Sequence, residues 1–476
     1  LTERGQIAYN RWAMRTLRLS APAVVFSLVL AALTPALRAQ DAHYWTNQYG
    51  TRATLLGGAV IGSVLDLSGT YYNPGGMSLI KDPETLMAAK VMQYPHLSLV
   101  GEDRGSIHLN SANFGPAPSL IAGTFKLRGL RKHWFGYSFL SRQEVKLGVS
   151  ISSTGVRDIL PDRPGSEDYA TQYRLDEKMS EPWLGLTWSC KLKENIGIGV
   201  SQYFLIRTHR ASAQTLVEAL DTTGQVALAL GARQYHYQNF RLLWKVGLAF
   251  DFDRITLGLT LTTPSLKIYG TGSAGVNSSV VGLDLDGDGG GDDFMAAAYS
   301  DRQPASIRTP LSLAAGATFK LRSLRIYGSA EWFARIRPYT VVDAAEFEAQ
   351  TTGELLSIDV SHELNSILNM GLGLEYAHSP RFKSYVSYTT DRSAKRPGTE
   401  TNLSLTDWDI YHLIAGAEVT VKNSALTFGL GYSFGGREVG TRPDILGHEG
   451  LDELWDPFAA LQFRYASYKL IVGFAF

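Results

Sequence analysis

The chain has 476 residues, 45 basic and 45 acidic side chains and no formal net charge, so it lacks the basic footprint that nucleic-acid binding requires. A hydrophobic share of 45% fits a soluble protein and equally a membrane β-barrel, whose strands dilute their apolar signal by alternation. The single cysteine, Cys190, excludes an internal disulfide and a cysteine metal cluster and reads as structural.

Residues 14–39 carry the features of a secretory signal peptide. Arg15 and Arg18 form a positive start, Ala21 to Leu33 an apolar run, and Ala36-Leu37-Arg38-Ala39 a small-residue site with the cut expected after Ala39. Residues 1–13 read as an over-extended gene start. Beyond this region no stretch offers some twenty uninterrupted apolar residues (roughly the length of a helical span), so membrane helices are not expected.

Residues 40–84 follow without strand periodicity. The stretch LLGGAVIGSVLDLSG is too apolar for a disordered leader and too rich in glycine for a good helix or strand. Such a segment must be buried, and the buried volume of a mid-sized barrel is its lumen, where glycines allow close backbone approach. Pro74 fixes a turn, and Asn73 before it is driven to extended geometry.

The C-terminal half shows clean period-two alternation. Leu426, Phe428, Leu430, Tyr432 and Phe434 alternate with Thr427, Gly429, Gly431 and Ser433; Trp244 to Phe250, Leu257 to Leu261 and Met370 to Tyr376 behave alike. Glycine weakens a strand, so Gly, Ala and Ser are poor choices for a solvent face but suit a crowded barrel interior. The fold class expected is all-β, a transmembrane antiparallel β-barrel of about fourteen strands over 85–476, with the 40–84 segment as a hatch in the lumen. The strands are expected at 85–100, 106–127, 134–153, 169–192, 196–212, 234–252, 255–270, 308–321, 324–341, 362–378, 382–393, 407–422, 425–437 and 457–476. Long connections at 154–168, 213–233, 271–307, 342–361, 394–406 and 438–456 would be extracellular, and the short ones between them periplasmic.

The segment is recognisable by its motifs. Gly57-Gly58-Ala59, Asp66-Leu67-Ser68 and Tyr71-Tyr72-Asn73-Pro74-Gly75-Gly76-Met77 resemble the N-terminal hatch of the FadL-type outer-membrane transport family. Leu67 and Gly75 depart from the family's usual alanines. The terminal YKLIVGFAF, ending on Phe476, resembles the signal by which bacterial outer-membrane barrels are recognised for assembly. The resemblance implies passive transport of fatty-acid-like or hydrocarbon molecules across the bacterial outer membrane. Asp66, Asn73, Pro74, Gly75 and Gly76 are then the hatch and gating residues. The partners implied are a hydrophobic ligand, outer-membrane lipid and the barrel-assembly machinery. An alternative is a barrel that acts as a shuttle or docking partner in protein secretion.

Glu331, Phe333, Arg335 and Arg337, with Glu375, Lys267, Arg207 and Arg210, are candidate lumen residues, an Arg or Lys being able to receive a carboxylate. Asp284, Asp286, Asp288 and Asp292 lie in LDLDGDGGGDDF, where alternate carboxylates and Gly289 could wrap a calcium ion in an extracellular loop; no other cofactor is expected. His-Glu-x-x-His is absent, and no enzymatic activity is expected.

Overall fold

A computed structural model describes residues 42–63, 66–80, 86–101, 105–109, 117–127, 130, 132–158, 160, 163, 165–283, 291–395, 408–422, 424–437 and 461–475. The signal-peptide reading and three of the four calcium-loop aspartates, Asp284, Asp286 and Asp288, lie outside them.

The strands follow in chain order. β1 (Leu86–Gly101), β2 (Gly105–Leu109), β3 (Ala117–Phe125), β4 (His133–Arg157), β5 (Glu167–Lys193), β6 (Ile196–Leu220) and β7 (Val226–Asp251) come first. β8 (Ile255–Thr262), β9 (Leu266–Leu283), β10 (Asp292–Pro304), β11 (Ser312–Leu321) and β12 (Leu324–Phe333) follow. Four short strands come next: β13 (Ile336–Val342), β14 (Phe347–Glu348), β15 (Leu355–Leu356) and β16 (Val360–Leu364). The wall resumes with β17 (Ile367–Ser379), β18 (Phe382–Asp391), β19 (Ile410–Val421), β20 (Ser424–Arg437) and β21 (Leu461–Ala475).

Seventeen strands form one antiparallel sheet. Leaving aside β2, β9 and β10, the other fourteen pair in sequence from β1 through β3 to β8, then β11, β12 and β17 to β21. β21 then pairs β1 from Met87↔Ala475 to Gly101↔Leu461 and closes the ring. A closed sheet has no free edge, which lets strands cross a bilayer with every ladder hydrogen bond satisfied.

The side chains sort as the alternation predicts. Leu430 is 68% exposed and Leu372 62%, both on the outer face with Phe428, Leu259 and Met370, while Thr427, Ser433 and Thr389 on the inner face are buried. No helix among the described residues is long and apolar enough to cross a membrane, which says nothing about strands.

Several expected loops are strands. The connection expected at 213–233 is a tight turn, because β6 runs to Leu220 and β7 starts at Val226. Its alternation uses Ala211, Ala213 and Ala219 inward rather than a large–small contrast, which hid the period. In the turn, Asp221 Oδ1 accepts from Thr223 N (2.8 Å), Thr223 Oγ1 (2.7 Å) and Gln225 N (2.9 Å). These bonds, that of the Thr223 hydroxyl foremost, hold its carboxyl down at about 2. The connection expected at 271–307 is mainly the β9–β10 hairpin, and that at 342–361 carries β14, β15 and the start of β16. The single strand expected at 255–270 is broken at Thr263–Ser265, where Pro264 cannot donate to a ladder, and both halves pair β7. The strand expected at 106–127 is divided into β2 and β3, each pairing β1.

β4 to β7 therefore have 25 to 27 residues each, against 10 in β11 and β12. A barrel strand needs only about 9–11 residues to span a bilayer, so this side rises well above the ring. The inner face of the tall wall is covered by β13 and β16. Ile307, Val341, Val342, Ile358 and Val360 form one buried cluster with the wall residues Tyr173, Leu175, Tyr235 and Tyr237.

Candidate functional site

Residues 42–63 and 66–80 hydrogen-bond to strands around the ring, among them Arg142 of β4, Leu248 of β7, Ser387 of β18 and Lys469 of β21. The segment contains α1 (Thr51–Leu55), α2 (Gly69–Tyr72) and a 3-10 helix at Pro74–Leu79. Gly57 and Gly58, at φ 60° and 81°, supply the left-handed backbone that leads away from α1.

Asn73 is extended at φ −156°, ψ 94°, as the following proline requires. Its Oδ1 accepts from Gly75 N at 3.1 Å and caps the 3-10 helix. Its Nδ2 donates to Ile61 O within the segment (3.1 Å) and to Leu248 O of β7 (2.9 Å). The motif thus both folds the segment and ties it to the wall. Pro74 takes the first helical position, where no N–H is needed.

The fit at Gly75 is backbone on backbone. A Cβ there would lie 2.6 Å from Gly247 O and 2.8 Å from Gly197 O. The wall reciprocates: a Cβ on Gly258 would sit 1.9 Å from Ile61 O, and one on Gly247 2.3 Å from Asn73 Oδ1. Wall glycines and segment glycines therefore share one contact. Gly76 is buried and donates to Asn73 O at 3.0 Å, and Asp66 Oδ1 accepts from Ser68 N at 2.9 Å, which shapes the entry to α2.

The other end of the segment is held by Asp391. Its Oδ1 accepts from Trp45 N (2.8 Å) and Tyr44 N (3.1 Å), and its Oδ2 from Thr46 Oγ1 (2.6 Å). His43 Nδ1 and His412 Nε2 stand 3.6 and 3.8 Å from the same Oδ2. Lys469 donates to Thr46 O at 2.8 Å, and Arg142 Nη2 to Tyr44 O at 2.7 Å. All four charged or titratable wall groups named here are buried.

Between these anchors lies an aromatic group. Tyr71 contacts Tyr49 (4.3 Å between centroids), Tyr72 (5.1 Å) and Trp183 (6.2 Å). Burial raises the pKa of Tyr49, Tyr71 and Tyr72, so all three stay neutral at physiological pH. Lys245 Nζ sits 4.3 Å above the Tyr71 ring. Lys245 is only 5% exposed, and among the described residues its ammonium makes no hydrogen bond or ion pair. Arg142 Nη1 likewise has no acceptor.

A second charged layer follows toward the tall wall. Glu181 accepts from Trp183 Nε1 (2.8 Å) and meets both Arg207 Nη1 and Arg241 Nη2 at 2.9 Å. Arg207 Nε donates to Tyr237 OH at 3.0 Å, and His209 Nε2 stands 2.9 Å from Glu177 Oε1.

The residues expected in the lumen fall into two groups. Arg207, Glu331 and Glu375 do face it. Glu331 accepts from Trp45 Nε1 (2.8 Å) and Ser312 Oγ (2.6 Å). Glu375 accepts from Tyr327 OH (2.6 Å) and Arg325 Nη1 (3.2 Å), with Arg52 of α1 at 3.9 Å. Phe333 is buried and stacks on Tyr44 at 4.2 Å. The others do not line it. Arg210 lies on the outer face of β6, and Lys267 is exposed. Arg335 follows the end of β12 and pairs with Glu363, while Arg337 is exposed on β13. The single strand expected at 324–341 ends at Phe333, so the alternation that placed these two arginines beside Glu331 does not continue. Of the calcium-loop residues, Asp292 begins β10 opposite Leu283. Asp391, Lys245, Arg142, Glu181 and Arg241 were not singled out from sequence. The available signal was a charge at an inward, otherwise small or polar position of a strand.

No family model matches the chain, and no curated protein matches it by sequence. Solved structures do. The toluene transporter TodX of Pseudomonas putida aligns over 90% of this chain and 98% of its own, with a TM-score of 0.52 and 11% identity. The toluene transporter TbuX of Ralstonia pickettii aligns over 90% and 99%, with a TM-score of 0.53 and 11% identity. A Pseudomonas aeruginosa FadL homologue aligns over 91% and 99%, with a TM-score of 0.51 and 13% identity. This chain has the fold of the FadL-type transport barrels.

Proposed function

We propose that the protein is a passive outer-membrane channel for hydrophobic small molecules, gated by its 42–80 segment. The observation that carries this reading is the anchoring of that segment across a closed ring, from Asn73–Leu248 on one side to Trp45–Asp391 on another. A solute crossing the ring must displace the segment or leave through the wall. The interruption at Thr263–Ser265, spanned by Arg241 with Thr309 Oγ1 at 2.7 Å, offers a route of the second kind. The apolar cluster under β13 and β16 offers a landing surface that replaces water contact for an apolar solute. Lys245 and Arg142 then present free donors beside Tyr71 to any acceptor group on the ligand. The similar structures include two toluene transporters and a FadL homologue, which supports a monoaromatic hydrocarbon or a long-chain fatty acid as the first ligands to try.

The test is uptake of a labelled monoaromatic hydrocarbon and a labelled fatty acid into proteoliposomes. Entry of either above protein-free vesicles, without an energy source, supports the channel. Entry of neither, together with capture of a secreted protein by the barrel, supports the docking alternative instead.

A further inference from the structure

The outer face of the tall wall carries a row of basic side chains, two of which have no carboxylate partner among the described residues. In the strand register, Lys146 of β4 stands opposite Lys178 of β5, Lys178 opposite Arg210 of β6, and Arg210 opposite His236 of β7. All four are exposed on the outer face. Like charges directly opposite on neighbouring strands destabilise a sheet, so the row has a cost that burial does not offset. Lys146 has Glu144 at 3.5 Å, and the nearby Asp176 is taken by Arg174 at 3.0 Å. Among the described residues Lys178 and Arg210 have no carboxylate within ion-pair distance.

The height of the row is informative. Two outward positions lower on the strands, the face turns apolar, with Ile206 opposite Phe240 and then Phe204 opposite Leu242. Phe240 stacks on Phe204 at 6.0 Å and lies 6.2 Å from Tyr269, an aromatic border of the kind found at a membrane interface. From Ile206 to Arg210 is four residues, roughly 13 Å along the strand and less along the membrane normal once the strand is tilted. Long Lys and Arg side chains bend toward a polar layer at that distance, which is where lipid head groups lie.

We propose that Lys146, Lys178 and Arg210 bind the phosphate of a lipid head group in the leaflet facing the tall wall. Adjacent strands are about 4.8 Å apart, so one phosphate between β5 and β6 is reached by both Lys178 and Arg210. The inference rests on the membrane-barrel reading above. It makes the tall wall a lipid-facing collar and leaves the interior site untouched.

The test uses the full chain in detergent with two versions of one outer-leaflet glycolipid, phosphorylated and enzymatically dephosphorylated, read by native mass spectrometry. The protein should retain the phosphorylated lipid. The double variant Lys178→Ser, Arg210→Ser should lose about tenfold or more in retention, given the usual worth of a surface cation near anionic lipid. The distant control Lys193→Ser should not. Equal retention of both lipids, or an unchanged double variant, overturns the proposal. Complete displacement by millimolar inorganic phosphate shows a free-anion site and overturns the lipid assignment. Failure of the wild type to show heat-modifiable migration refutes the barrel reading itself, and is seen before any lipid is added.

Discussion

The Asn73 side-chain amide donates to the carbonyl of Leu248 at 2.9 Å, across 175 positions of sequence. The same NH2 group reaches Ile61 O, and the same side chain caps the 3-10 helix through Gly75 N. Asn73→Ala removes all three bonds and leaves two buried carbonyls without this donor. The segment should loosen by about 1–3 kcal/mol for such a loss, and the ring itself should stay intact. Hydrogen exchange at residues 66–80 should rise while exchange in β18 to β20 stays the same.

Asp391 is the matching anchor at the other end. Asp391→Ala strips an acceptor from Tyr44 N, Trp45 N and Thr46 Oγ1 and leaves His43 and His412 without their carboxylate. Removing one partner of a buried charged group costs more than removing a neutral one, about 3–5 kcal/mol. Proteolysis near residues 42–49 should become rapid in the variant. Equal protection of wild type and variant would show that Asp391 is not an anchor.

The glycine contact predicts a steric effect. Gly258→Ala places a methyl group at the position now 1.9 Å from Ile61 O, with backbone rather than a flexible side chain in the way. The segment must shift, and the variant should admit a small hydrophilic dye to proteoliposomes that the wild type excludes. Gly328→Ala is the control, because a Cβ there meets nothing within 4 Å.

Much of this was legible in sequence because two signals were strong. Period-two contrast between large apolar and small residues marked β8, β17, β20 and the lower half of β7. The Tyr-Tyr-Asn-Pro-Gly-Gly motif marked a buried segment, since Asn-Pro fixes local geometry and glycine permits contact. The upper ends of β6 and β7 were harder to read. Ala, Thr, Gln and Arg alternate there without hydropathy contrast, because the outer face above the apolar band is polar. Arg210 was misplaced for this reason: its parity sets it outward, opposite Lys178 and His236. The anchors Asp391 and Lys245 were hidden by distance, each being defined by partners more than 150 residues away.

The lipid face predicts its own effect. Leu430 is the most exposed apolar side chain of β20, near the strand's middle. Leu430→Lys should destabilise the barrel in vesicles by about 2–4 kcal/mol, measured by urea titration, whereas Leu430→Ala should cost far less.

The acidic loop adds a cation prediction. The spacing of Asp284, Asp286, Asp288 and Asp292 leads to the expectation that calcium protects residues 280–296 from proteolysis. Equal cleavage with calcium and with chelator would remove the site.

The interior segment is expected to close the ring. Single-channel recording in planar bilayers tests it most directly, comparing the full chain with a variant lacking residues 41–76, after heat-modifiable migration has shown both to be folded. The wild type should be silent and the variant should show steady open steps. Equal conductance in the two would contradict it.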